Sequence, residues 1–182
     1  WATAVSLIAV LVTWGVNAHR LTRTTRFAVH GSRSANVVSL QKGRELVLFA
    51  DSGAMPSSAM PRAIEAQQRA TGAEHAPLRP WNELRTGADH GIIDAGPSRI
   101  AFAGPEVIDH RVPLEVDRLV LDQDGAYDME RIMRAYTVRS GVVLSPVIDG
   151  LERWRIRTWC EQHAIACHDV KRQGAFILET SF

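Results

Sequence analysis

The chain has 182 residues, 46% of them hydrophobic, enough for one ordinary domain with a real core plus an appendage. Its net charge is +1 and its pI about 8.1, which excludes a global field drawing it to nucleic acid or anionic lipid; any basic surface has to be local. The basic residues are 19 arginines against only Lys42 and Lys171, a bias that suits bidentate phosphate contacts and that genomic base composition also produces.

The chain opens at Trp1 without a Met, which reads as a piece of a longer polypeptide. Ala2 to Val16 carries no charge, and Asn17 and Ala18 extend the run. A helix needs about 20 apolar residues to cross a bilayer, and Trp1 and Trp14 sit where interfacial aromatics belong. A signal peptide would place its basic residues first, whereas here Arg20, Arg23 and Arg26 follow. The expectation is the end of a transmembrane helix at 1–18 and a basic linker at 19–26, with a buried core helix as the alternative. By the positive-inside rule the arginines would place the downstream residues in the cytoplasm.

Phe27 to Ala50 predicts three strands: Phe27-Ala28-Val29, Asn36 to Leu40, and Glu45 to Ala50, with a hairpin turn at Gln41-Lys42-Gly43 and a terminus at Asp51-Ser52-Gly53. The continuous apolar run ELVLFA suits a strand buried on both faces. Pro56 and Pro61 introduce a short helix at Arg62 to Ala70, closed by Gly72, and Pro77, Pro80 and Gly87 then mark a loop. His75 and His90 read as solvated loop residues, and His110 beside Asp109 as a surface ion pair. Gly91 to Gly104 predicts a two-stranded hairpin, Glu106 to Val112 a further strand, and Glu115 to Leu121 a central one.

That central strand ends in Asp122-Gln123-Asp124-Gly125-Ala126-Tyr127-Asp128. A buried strand running into a polar loop is a usual place for a site in a layered α/β protein, because the scaffold is fixed and the loop accessible. The loop has neither His nor Cys, so transition-metal ligands are missing. Asp51, Asp122, Asp124 and Asp128 could hold Mg²⁺ or Ca²⁺ through oxygen, but they read more naturally as turn and helix-cap residues, and Asp128 suits the N-cap of a helix from Met129 to Val138. Strands at Gly141 to Ser145, Ile165 to Val170 and Gly174 to Leu178 bracket a helix at Leu151 to His163. His168 is a lone histidine near a strand tip, more naturally structural than catalytic. Arg153, Arg157, Lys171 and Arg172 form the densest basic cluster, with Arg153 and Arg157 at i, i+4, and read as a solvated face or as phosphate contacts. Trp154 and Trp159 read as core rather than as stacking platforms. Cys160 and Cys167 fit no CxxC motif and read as two small buried hydrophobes; their separation in space is not legible from spacing.

FAVHGSRSANVVSLQKGRELVLFADSG resembles the opening of the β-lactamase-like domain at the C-terminus of ComEC, the competence channel that internalises DNA. The family pattern is a strand, a Gly-Gln-Gly-Asp-Ala turn, a strand, a hairpin, and a strand ending in Asp-Thr-Gly. Here the turn is Gly31-Ser32-Arg33-Ser34-Ala35, without the Asp, and the triplet is Asp51-Ser52-Gly53. Gly141 to Leu178 follows the family's order and spacing. A closer likeness is to shortened variants of the family, in which Trp154, Cys160, His168 and Gly174-Ala175-Phe176 have counterparts and the metal motif is likewise absent. In metal-dependent members the strand matching Leu119 to Leu121 runs into Thr-His-x-His-x-Asp-His, whose side chains bind two metal ions.

The resemblance therefore implies an α/β, αββα metallo-β-lactamase-like sandwich over 27–182, degenerate at its metal site, with no metal or cofactor and no confident catalytic residue. It implies a non-catalytic soluble domain of a multi-pass cell-membrane channel for transforming DNA, facing away from the cytoplasm against the indication of Arg20, Arg23 and Arg26. Implied partners are single-stranded DNA, the membrane, an upstream membrane domain of the same polypeptide and other competence proteins. Two alternatives stand: a residual nuclease using Mg²⁺ or Mn²⁺ at the Asp122 loop, with His168 as a further candidate, and a structural domain bracing the channel.

Overall fold

Side chains alternate across a strand, and that period of two sorts the apolar residues described in the two sheets into three clusters. The computed structural model describes residues 5–13, 15, 24–31, 36–51, 64–65, 68–69, 72–73, 77–84, 91–106 and 112–181. Strands β1 (Thr24–Gly31), β2 (Asn36–Lys42), β3 (Glu45–Ala50) and β4 (Leu78–Pro80) form one sheet with β10 (Phe176–Ser181), in the order β10-β1-β2-β3-β4. Only the β3–β4 pairing in it is parallel. The second sheet has the order β5 (Gly91–Ala95), β6 (Ser98–Ala103), β7 (Leu114–Leu121), β8 (Tyr136–Leu144) and β9 (Cys167–Asp169). Its β5–β6 hairpin is antiparallel and the rest parallel.

Phe27, Val29 and Val38 of the first sheet share a buried cluster with Ile100, Phe102, Val120 and Val143 of the second, so the sheets pack face to face. The opposite face of the second sheet, Leu119, Leu121, Val142 and Leu144, is covered by Met129 and Ile132 of α1 (Met129–Ala135) and by Ile156 and Cys160 of α2 (Gly150–Gln162). Val37, Leu46, Leu48 and Ala50 on the outer face of the first sheet pack with Ile64 and Ala73, and residues 64–65 and 68–69 are helical. The layers run helix, sheet, sheet, helices, and the α/β class expected from the sequence holds.

Asp128 caps α1 by accepting from the Arg131 N–H at 3.0 Å, as its position suggests. Asp149 caps α2 through the Leu151 N–H at 3.0 Å, and those backbone donors hold its carboxyl below the usual carboxylate range. The α1 helix is shorter than expected: it stops at Ala135, and β8 begins at Tyr136 rather than at Gly141. Tyr136 continues the helical period of Met129, Ile132 and Met133, which hid the start of β8. Val116 pairs Val138 and Arg118 pairs Gly141, so β8 carries one extra residue there, and Gly141 takes φ +127 to absorb it. The stretch expected to be a loop after Pro77 contains β4 and a 3-10 turn at Trp81–Leu84, and the strand expected over Ile165 to Val170 is β9 followed by α3 (Val170–Gln173).

No helix among the described residues is long and apolar enough to cross a membrane. Residues 5–13 and 15 are helical, with Val5, Leu7, Ile8, Val10, Leu11 and Val12 exposed, and the rest of the span expected at 1–18 lies outside the described residues. Trp1, Trp14, Arg20, Arg23, the 32–35 turn, Ser52, Gly53, His75, His90, Asp109, His110 and most of the strand expected over 106–112 lie outside the described residues.

Candidate functional site

β3, β7 and β8 end, and β2 begins, at the same edge of the sandwich. The alternation that sends Val38, Phe49, Val120 and Val143 into the inter-sheet core sends Asn36, Asp51, Asp122 and Ser145 the same way. These four polar residues meet where the apolar filling stops. Asn36 is the hub: its Nδ2 donates to Asp51 Oδ2 at 3.1 Å and to the Asp122 carbonyl at 2.5 Å, while its Oδ1 accepts from the Ser145 hydroxyl. The Trp81 indole Nε1–H donates to Asp122 Oδ2 at 2.9 Å, and the Trp81 ring stands edge-on to Phe102 at 5.4 Å. Backbone bonds complete the network, from the Asp51 N–H to the Asn36 carbonyl (3.3 Å) and from the Ser145 N–H to the Leu121 carbonyl (3.0 Å).

Asp122 and Ser145 are fully buried, and Asn36 and Trp81 nearly so, leaving Asp51 as the partly exposed member. A carboxylate enclosed in this way is positioned to tie strands together. Its Oδ2 is engaged by a neutral indole donor, and its backbone carbonyl is the point through which the two sheets are joined by Asn36.

The other candidate aspartates diverge from this centre. Asp124 is exposed and accepts from the Asp149 N–H at 2.9 Å, and Asp128 is exposed on its cap. Tyr127 fastens the loop between them: its hydroxyl donates to the Gln123 carbonyl at 2.7 Å, and its N–H donates to the buried Glu152 carboxylate at 2.8 Å. A cavity of about 470 Å³ beside it is lined by Tyr127, Glu152, Arg155, Ile156 and Trp159. Among the described residues, no three His, Cys, Asp or Glu side chains are grouped so as to hold a metal ion. His168 bonds through Nε2 to the Gly174 carbonyl at 3.0 Å and stands edge-on to Phe176, away from the Asn36 network.

The basic cluster divides in two. Arg153 is buried, donates through Nη2 to the Pro146 and Ile148 carbonyls at 3.1 and 2.6 Å, and places Nε 3.3 Å from Asp169 Oδ1. It fastens the loop after β8 to the start of α3. Arg157 and Arg172, by contrast, line an open groove of about 360 Å³ with Cys167, Asp169 and Gln173, and Lys171 is exposed close by in sequence. Arg157 is also 3.7 Å from Glu161. Trp154, expected in the core, is 60% exposed, whereas Trp159 is partly buried and stacks on His163 at 3.9 Å.

Sequence reasoning found Asp51 and Asp122 but not their partners Asn36 and Trp81. The signal for Asn36 was a polar residue opening a strand in the parity of Val38. On the opposite face of the first sheet, His30 bonds through Nε2 to Ser39 Oγ at 2.8 Å; burial, and then the Arg26 charge, lower its pKa to about 4.

The family model described as the ComEC C-terminal domain matches residues 27–180 of this chain. No curated protein and no solved structure matches it.

Proposed function

The chain belongs to the ComEC C-terminal domain family, and on that premise we propose that it serves the uptake of transforming DNA as a non-catalytic domain of a multi-pass membrane protein. The observation that carries this reading is the enclosure of Asp122. At the strand end where metal-dependent relatives of the fold present ligands, the carboxylate is buried against Trp81 and bound into a network with Asn36. The order of layers supports a metallo-β-lactamase-like sandwich that has exchanged an open metal site for an interior hydrogen-bonded strut. Arg157, Arg172 and Lys171 are the cationic side chains offered to the phosphates of a passing single strand. In this reading the exposed apolar residues of 5–13 adjoin the membrane part of the same polypeptide, and the sandwich faces away from the cytoplasm.

The test is a cleavage assay on the purified chain with end-labelled single-stranded DNA and added Mn²⁺ or Mg²⁺, alongside metal content. The expected outcome is intact DNA and no bound metal. Metal-dependent cleavage that disappears in Asp122→Ala would overturn the non-catalytic reading in favour of a residual nuclease. Absence of any DNA affinity at low salt, where phosphate contacts are strongest, would instead leave a structural domain.

A further inference from the structure

The two cysteines stand seven apart in sequence, yet the chain reverses between them. The last turn of α2 ends at Gln162, His163 caps it, and Ala164 takes the left-handed φ of 54 that turns the backbone round. The Ile165 N–H then donates to the Cys160 carbonyl at 2.9 Å, which lays the strand leading into β9 back against the helix it has just left. Cys160, fully buried, and Cys167, partly buried, consequently meet at the same apolar cluster over the second sheet, and their thiols hydrogen-bond one another. The hydrogen bond between them eases the first proton off the pair and holds the second on. Cys167 also lines the open groove beside Arg157 and Arg172, so a small reagent can reach one sulfur of the pair.

We propose that Cys160 and Cys167 are a reversible dithiol that closes to an intramolecular disulfide with a small disulfide oxidant such as oxidised glutathione. The pair loses one proton, and the singly ionised pair attacks one glutathione sulfur through Cys167, the sulfur open to the groove, releasing a glutathione thiolate. Cys160, as thiolate, then attacks the Cys167 sulfur of the mixed disulfide and expels the second. The protein gives up two electrons and two protons; the glutathione disulfide gains both and becomes two thiols. The bond joins the end of α2 to β9 and thereby fixes two walls of the Arg157–Arg172 groove.

The experiment is to incubate the folded chain with oxidised glutathione at mildly alkaline pH, quench with acid, and alkylate with N-ethylmaleimide. Intact mass and the tryptic peptide Thr158 to Lys171, which contains both cysteines, are then read. The expected result is a peptide lighter by two hydrogens and carrying no alkyl group, restored to two alkylated cysteines by prior reduction. Cys160→Ser should convert it to a glutathione adduct on Cys167. A stable glutathione adduct on the unmodified chain, an intermolecular dimer, two free thiols after prolonged exposure, or closure only in strong denaturant would each overturn the proposal. The unsubstituted chain alone decides the question, so a folding defect in the variant does not blur it.

Discussion

Asn36 carries no charge, yet both sheets are joined through its side chain at the candidate site. It satisfies Asp51, the Asp122 carbonyl and Ser145 at once, in a place where water has little access. Asn36→Ala removes these bonds and leaves buried polar groups unmatched, so a loss of about 2–4 kcal/mol is expected in urea unfolding. A loss below about 0.5 kcal/mol would mean that the network is not what holds this end together. His30 gives a second test, through pH. Its Nδ1 is buried without a hydrogen-bond partner, and its pKa falls from 6.5 to about 4 on folding, with burial as the larger cause. The unfolded chain therefore binds the proton more readily than the folded one. Stability from this residue is complete above about pH 6.5 and is lost as pH falls toward 4, at up to roughly 1.4 kcal/mol per pH unit. Urea midpoints measured between pH 7 and pH 4 should be flatter in His30→Gln than in the parent. Equal slopes would assign the acid sensitivity elsewhere.

At the scale of elements, β8 is two strand segments joined by a glycine. A Cβ at position 141 would lie 2.4 Å from the Ala166 carbonyl oxygen, a backbone atom with little freedom to yield, and φ is +127 there. Gly141→Ala is expected to cost about 3 kcal/mol or more and to loosen β9 first, because Ala166 immediately precedes it; amide hydrogen exchange across β8 and β9 checks this. β1, β2, β3, the β5–β6 hairpin and β7 were legible because turn residues bracket runs of strand period, and the helix expected at Leu151 to His163 is α2 to within a residue at each end. The α1–β8 boundary was not: Met129, Ile132, Met133 and Tyr136 satisfy the helical period, although Tyr136 already belongs to the strand. The site was half legible for a different reason. A strand end marks Asp122 locally, but its bond to Asn36 spans 86 positions and that of Ser145 to Asn36 spans 109, and no local pattern encodes such a pairing. Likewise spacing separated Cys160 from Cys167, and only the reversal at Ala164 brings them together.

Over the whole molecule, a net charge of +1 means that any affinity for DNA has to arise at a patch. Arg157 and Arg172 share a groove, whereas Arg153 is spent inside the fold. Arg157→Ala combined with Arg172→Ala should weaken single-stranded DNA binding about equally across sequences and lower the slope against log salt by about 1 to 2, measured by fluorescence anisotropy. An unchanged slope would remove these residues from the interface. The final consequence concerns timing. β10 pairs with β1 from Thr24 with Ser181 to Val29 with Phe176, so the first sheet takes its outer strand from the opposite end of the described chain. On the ribosome, β1 emerges before the other described strands and β10 after them. Until β10 emerges, the nascent domain therefore presents β1 with one side unpaired, a template open to another strand. The arrival of β10, more than any local folding event, closes that edge.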